Sequence, residues 1–281
     1  HPLLGNYLAT APFANWGGFY ADHGGARESL LAQARQLRQE LGADYVVLRL
    51  QSADLPPPPG WQADLCRSWY KVELNPDPQA LMKDFSQNLR SKVRRSLKQG
   101  FSTRWGGLDL AEEFHACMLR CMRELGSPYH SPGYIRSLVS TLGQDARVIL
   151  VDAPGERAIG AGMVIKVHDG AVLYHGNIFK AYRSRYAGNF LYFNILSTLG
   201  SQGLHWLDMG RSLSGSGNEA FKMEWGAQKI ELAEWYNLAK EGPLPALNQN
   251  NPRFQLAQWG WPRLPVPLAA AFGPKLIWGL L

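Results

Sequence analysis

Three strand-like runs, at 147–152, 158–167 and 171–178, are joined by Ala153-Pro154-Gly155-Glu156 and by His168-Asp169-Gly170. Pro presets φ for a turn, Gly supplies a positive φ, and Asp hydrogen-bonds its own backbone, so both joints have hairpin chemistry. Hairpins force antiparallel neighbours, because a parallel return needs a crossover of a dozen residues or more. An antiparallel three-stranded meander is therefore the element that constrains this chain most. Helical patterns precede it at 111–125 and 132–142, separated by the Gly126-Ser127-Pro128 break, and Pro132 suits a first helical position. A third helix is predicted at 188–199, followed by strands at 204–209 and 228–238.

The first hundred residues repeat part of that plan. Residues 26–41 place Leu30, Leu31, Ala34, Leu37 and Leu41 on one side of a helix. Gly42 ends it, and a strand at 44–50 carries Val47-Leu48-Arg49. Residues 189–211 follow the same order: helix, Gly203, then a strand ending Leu207-Asp208-Met209-Gly210-Arg211. A proline loop at 55–60, a strand at 69–74 and a helix from Pro78 lie between them. The two stretches predict a structural repeat. Only residues 1–25 precede the first copy, whereas two helices and three strands precede the second, so the expectation is an N-terminally truncated first half. With 46% hydrophobic and 19% charged residues the chain has material for a core. A disordered tail, a collagen and a disulfide-stapled miniprotein are excluded. The expected division is 1–105, a partial first half with a basic helix; 106–240, a complete second half; and 241–281, a Pro/Trp-rich tail.

Residues 264–281 are apolar but interrupted by Pro265, Pro267, Gly273, Pro274 and Lys275, which a spanning helix of about 20 residues tolerates poorly. The tail is expected to pack, with peripheral contact on an anionic membrane face as the rival. No basic segment followed by an apolar one stands at the start. Cys66, Cys117 and Cys121 make no disulfide framework. The expected compartment is reducing and cytoplasmic, peripheral at the inner membrane face if the tail docks. Cys117, Cys121 and His115 share a helical pattern, but no second Cys/His pair completes a metal site, and no metal is expected.

Net charge is +6, and Arg90, Lys92, Arg94, Arg95 and Lys98 fall within 88–98 without an acid. On a helix Leu89, Val93 and Leu97 form an apolar stripe, and Arg90, Arg94 and Lys98 a parallel basic one. One face packs while the other meets phosphates; a solvated helix between domains is the plainer alternative. No aromatic residue interleaves the charges, so stacking on single-stranded nucleic acid is not indicated.

The second half orders its elements as helix, helix, three antiparallel strands, helix, strand, strand, which resembles the GNAT acyltransferase fold. In such folds a helix N-terminus holds phosphate, because its free N–H groups and its dipole point there. Arg185 and Gly188 match the family's Gln/Arg-x-x-Gly-x-Gly/Ala pattern for the coenzyme A pyrophosphate, and Asn189 adds a backbone N–H. Phe190 departs from that pattern, and a benzyl group there is expected to crowd the approach to the backbone. A solvated arginine pair is the alternative reading.

Residues 208–226 read as a strand running into a Gly/Ser loop and a short amphipathic stretch, and sites collect at such strand ends. Arg211 is placed to neutralise an anion, Asp208 to orient it or accept a proton, and Lys222 to hold a phosphate or a developing negative charge. Tyr174 and Asn177 are candidates for the same cleft, while His175 reads as structural. The plain alternative is that Gly215 and Gly217 only make a turn. The block from Gly210-Arg211-Ser212 through Gly215-Ser216 to Phe221-Lys222-Met223-Glu224-Trp225-Gly226 resembles the Gly-Arg-Ser…Gly-Ser…Phe-Lys-x-x-Trp-Gly motif of FemAB-like proteins, in the branch associated with exosortase/PEP-CTERM exopolysaccharide systems. Pro12-Phe13 with Gly17-Gly18, residues 89–100, Leu125-Gly126-Ser127-Pro128, Asn251-Pro252-Arg253-Phe254 and Arg263-Leu264-Pro265 extend the likeness over nearly the whole chain.

The resemblance implies an α/β (α+β) protein of two tandem GNAT-like halves, the first incomplete. It implies a transferase that moves an acyl or aminoacyl group from a phosphorylated donor, aminoacyl-tRNA or acyl-CoA, with no tightly bound cofactor. The acceptor is a glycan or lipid-linked precursor of the envelope or of an exopolysaccharide. Fem relatives carry a Phe-Lys pair near the acyl donor, which maps onto Phe221 and Lys222. Lys222 and Asp208 are then the catalytic candidates. Substrate and anion contacts come from Arg211, Ser212, Arg185, Gly188, Asn189, Phe221 and Tyr174, with Arg90, Arg94 and Lys98 from the basic helix. The rival is a non-catalytic accessory protein that keeps the fold and binds RNA or a polysaccharide precursor.

Overall fold

The computed structural model describes residues 5–11, 13–51, 54–245 and 258–277. The meander forms as its turns dictate: β6 (Ala146–Ala153), β7 (Glu156–Val167) and β8 (Gly170–Ile178) pair antiparallel, with Gly155 at φ +79° in the first turn. β5 (Ser102–Gly106) extends one edge. On the other side β8 pairs in parallel with β9 (Trp206–Leu213), and β4 (Arg67–Glu73) and β10 (Gln228–Glu231) complete a seven-stranded sheet. Helix α6 (Ala187–Ser201) is the crossover that a parallel β8–β9 pair requires. A four-stranded sheet of β1 (Tyr7–Ala9), β2 (Tyr45–Leu50), β3 (Gln62–Asp64) and β11 (Ala233–Leu238) runs in the order β1-β2-β11-β3 and is covered by Leu31 of α1 (Gly24–Glu40).

The main core lies on the large sheet. Phe114 and Met118 of α4 (Ala111–Glu124), Ile135 of α5 (Pro132–Leu142), Leu191 and Ile195 of α6 and Ile149 of β6 belong to one buried cluster. Each such burial contributes about 1.5–3 kcal/mol. Leu81 of α2 (Pro78–Asp84) and Leu89 and Val93 of α3 (Gln87–Leu97) join the same core. On α3 the buried positions are Leu89, Val93 and Ser96, while Leu97 is 46% exposed. The apolar stripe expected to end at Leu97 is therefore one residue off, because a helix of 3.6 residues per turn drifts away from an i+8 neighbour.

The strand expected at 228–238 is two strands in two sheets. Leu232 is buried, and its N–H donates to Arg67 O at 3.1 Å. Residues on one side of it pair with β4 and those on the other with β2. The halves thus exchange strands: β4, α2 and α3 serve the large sheet, and β11 serves the small one. The two helix–glycine–strand units are geometrically alike, since Gly42 and Gly203 follow α1 and α6 with φ of +58° and +82°. That left-handed backbone costs glycine little.

The tail packs on α4. Arg123 donates to Pro262 O and Leu264 O, and helix α8 (Val266–Ile277) lays Ala269 and Gly273 against the molecule. A Cβ on Gly273 would stand 3.0 Å from Tyr129 O, tighter than an ordinary contact, so glycine eases this approach. Pro12 and Asn251-Pro252-Arg253-Phe254 lie outside the described residues. Among the described residues no helix is long and apolar enough to cross a membrane, and no group of three or more His, Cys, Asp or Glu is arranged for a metal ion.

Candidate active site

β8 and β9 pair only from Gly170 to Val172 and from Trp206 to Asp208, and then part. A β-bulge in β8 contributes: Met163 faces His175 while Val164 faces Leu173, which leaves Tyr174 extra. A bulge bends its strand and re-aims a side chain. The opened wedge holds a cleft of about 700 Å³, walled by residues 173–178 of β8, residues 209–211 of β9, the start of α6 and helix α7 (Gly217–Glu224).

Ser216 starts α7 by accepting the Glu219 N–H, and this short helix aims Lys222 inward. The buried Lys222 Nζ donates to Gly210 O and Arg211 O, both at 2.9 Å, and lies 5.1 Å from the Tyr70 ring centroid. Burial lowers the Lys222 pKa to about 8, with Arg211 acting in the same direction and Asp208 opposing. Asp208 is buried on β9. Its carboxylate accepts from the Gly210 N–H at 2.6 Å and from Asn15 Nδ2 at 3.1 Å. Burial raises its carboxyl above the usual range, against those two hydrogen bonds and the nearby Lys222. An ammonium that releases its proton easily and a carboxylate that takes one easily are thus held by the carbonyl and the N–H of one residue, Gly210.

A second cavity of about 290 Å³ has walls from Phe13, Trp16, Ile165 and Val172, with Asp208 as the one carboxylate among its described lining residues. Asn15 and Tyr174 line both cavities and form the partition between them. The Tyr174 hydroxyl lies 2.7 Å from that of Tyr134. Asn15 was not singled out from the sequence. Its only signal there is its place inside the Phe13…Gly17-Gly18 segment.

On the opposite wall Tyr186, at φ +60°, begins α6, and no side chain caps this end among the described residues. Gly188 and Asn189 line the cleft, with open space around Gly188. The buried Asn189 Nδ2 has no hydrogen-bond partner among the described residues. Phe190 does not crowd this helix end: its ring is buried in the core 5.6 Å from Phe101, on the far side of the helix from Gly188. The backbone N–H groups are left open to an anion.

The remaining candidates divide. Phe221, Tyr174 and Arg211 line the cleft with Lys222. Arg185 does not: it donates to Gln99 Oε1 and Gln99 O and lies over the Phe101 and Tyr182 rings. Ser212 faces Ser68 across the β4–β9 pair, with its buried Oγ lacking a partner among the described residues. Arg90 donates to Phe85 O, and Arg94 and Lys98 are exposed away from the cleft walls. Lys92, on another face of the same helix, reaches the cleft and pairs with Glu224. The helical wheel could not choose between these basic stripes, because the choice depends on what α3 packs against. His175 lines the cleft but is held neutral, its pKa pushed down to about 3 by burial and by His130.

The acetyltransferase (GNAT) domain family matches residues 83–223, the segment from α2 through the wedge to α7. The chain belongs to this family. Among solved structures this GNAT chain is similar to a crystal structure of FemX, at 14% identity over 90% of this chain and 82% of that one, with a TM-score of 0.62. It is similar to the C-terminal domain of a putative lysylphosphatidylglycerol synthetase from Agrobacterium fabrum, at 12% identity, 76% and 74% coverage and a TM-score of 0.54. It is also similar to a tandem GNAT protein from the clavulanic acid biosynthesis pathway, at 13% identity, 79% and 73% coverage and a TM-score of 0.53. No curated protein matches the sequence. With its likeness to a tandem GNAT protein and its two sheets, the fold is two GNAT-like halves, of which the first has fewer elements.

Proposed function

We propose that the chain transfers an acyl or aminoacyl group from a phosphorylated donor to an amine or hydroxyl of a glycan or lipid-linked precursor. The observation that carries this reading is that Gly210 holds the Lys222 ammonium of the larger cleft through its carbonyl and the Asp208 carboxylate of the smaller one through its N–H, where the two cavities meet. The donor enters the larger cleft, with its phosphates toward the open start of α6 and Lys92. Two Lys222 protons are held by backbone carbonyls, which leaves the third for the donor carbonyl oxygen as it becomes an oxyanion. The acceptor lies in the smaller cavity and attacks the carbonyl carbon. A C–N or C–O bond forms, the acceptor's proton passes to Asp208, and the bond to ribose oxygen or thioester sulfur breaks, its leaving group taking the proton back.

The Arg211 to Gly226 motif supports the FemAB-like, exosortase/PEP-CTERM-associated branch, and with it an exopolysaccharide acceptor and a cytoplasmic site of action. A Phe190 ring crowding α6 would slightly favour the rival, a non-catalytic accessory, over a coenzyme A enzyme; buried in the core beside Phe101, it lends that reading nothing. The test is transfer by the purified chain from aminoacyl-tRNA or acyl-CoA, chosen by which donor raises the melting temperature. Lys222→Ala, folded by circular dichroism, should abolish transfer. Unchanged turnover would sink the assignment.

A further inference from the structure

Helix α8 buries one side and presents another that is apolar where solvent-facing helices are polar. Its exposed positions are Pro267, Leu268, Ala271, Phe272, Lys275 and Leu276, which form one continuous face. Leu268, Phe272 and Leu276, at i, i+4 and i+8, are 44%, 52% and 40% exposed. Trp259 beside the helix start is 64% exposed, with the Arg263 guanidinium 3.9 Å from its ring centroid. An ordinary surface helix keeps its apolar stripe for the core. Here the core takes Ala269 and Gly273, and the larger side chains face outward.

We propose that this face of α8 docks in the interfacial region of an anionic membrane. The charge pattern selects that occupant. Residues 242–281 contain no Asp or Glu, while Arg253, Arg263 and Lys275 are basic. Lys275 is the sole charge on α8 and stands within the apolar face. A second copy packed there would bury that ammonium against a surface whose own helix offers no carboxylate, and desolvating an unpaired charge is costly. At a bilayer the ammonium reaches up to lipid phosphates while its alkyl stem and the neighbouring Leu and Phe side chains sit below. Arg263 and Trp259 at the end of the patch suit the same boundary, where cationic and amphipathic aromatic groups are at home. The helix is fastened through Arg123 to α4, whose Met118 and Met122 wall the large cleft, so a docked chain holds that cleft one helix away from the lipid. The docking stands whether or not the cleft transfers an acyl group.

The test is flotation of the full chain with vesicles of phosphatidylcholine plus phosphatidylglycerol and with phosphatidylcholine alone. The chain should float with the anionic vesicles and far less with the neutral ones. The double variant Leu268→Glu/Phe272→Glu should remain behind with an unchanged melting temperature, since both side chains are exposed. Lys275→Gln should weaken binding about fivefold on anionic vesicles only. Failure of the full chain to float, or equal flotation of the double variant, would overturn the proposal. So would a dimer that forms without lipid and is abolished by the same double substitution, which would give the face to a second copy. A docked chain that transfers nothing would overturn the transferase reading alone.

Discussion

Arg49 and Arg211 close on the same carboxylate oxygen of Glu234, at 3.6 and 3.3 Å, from strands in different sheets. Each lies in the strand of one helix–glycine–strand unit, so this carboxylate ties the two units together. Arg67 takes the other oxygen at 2.9 Å, where the Tyr236 hydroxyl also donates. Burial, then Arg49 and Arg67, lower the Arg211 pKa to about 10.

Removing that carboxylate should be far more damaging than removing one of its arginines. Glu234→Gln leaves guanidinium groups buried together without a counter-charge and is expected to cost about 3–5 kcal/mol. Arg49 Nε and Nη1 make no hydrogen bond among the described residues. Arg49→Met, which keeps the bulk and removes a charge, should therefore cost much less. Urea denaturation of the two variants measures both; equal losses would contradict the account.

Lys222 should separate activity from stability. Its folded pKa of about 8 lies below the ordinary 10.5, so between those values the unfolded chain binds more protons than the folded one. Stability is therefore expected to rise with pH across that window, as the buried ammonium is relieved of its charge. A shift of this size corresponds to about 3 kcal/mol. Lys222→Met should flatten that rise. Transfer, which uses the ammonium, should fall over the same range in the native chain.

Asp208 sets the acid side. Its carboxyl is raised by burial, and only the carboxylate accepts the acceptor's proton, so the rate should fall as pH drops through that raised value. Asp208→Asn keeps an oxygen for the Gly210 N–H and should fold, while transfer falls about 10²–10⁴-fold. A stopped assay over pH, with circular dichroism at each point, distinguishes this from unfolding.

Gly200 on α6 is a packing requirement with no part in the chemistry. A Cβ there would stand 2.2 Å from Asn75 O, a backbone atom that cannot step aside cheaply. Gly200→Ala is expected to cost about 1–3 kcal/mol, read as a lowered denaturation midpoint, with the cleft residues unchanged.

The legible parts of the sequence were those with local causes. The hairpin residues named the meander, Gly42 and Gly203 ended their helices, and the Asp208 to Gly226 segment held the two residues now found hydrogen-bonded to Gly210. The strand at 228–238 was legible as β structure but not as two strands, since an apolar run does not say which neighbour it pairs with. Lys92 and Asn15 were missed because each becomes part of the cleft through contacts with elements distant in the chain. Phe190 was misread because its place in a motif does not say which side of the helix its ring takes.

By itself the sequence determined the order of the main helices and strands and the GNAT family, because turn geometry, helix periodicity and motif spacing act over a few residues. Tertiary structure alone decided that β8 and β9 diverge, that Asn15 closes on Asp208, and that three arginines share Glu234. Those outcomes depend on burial, which removes water from a lysine, an aspartate and a carboxylate–guanidinium cluster and so sets their charges. It also decided that α8 turns Ala269 and Gly273 inward and Leu268 and Phe272 outward, since which face of a helix packs depends on the surface it meets.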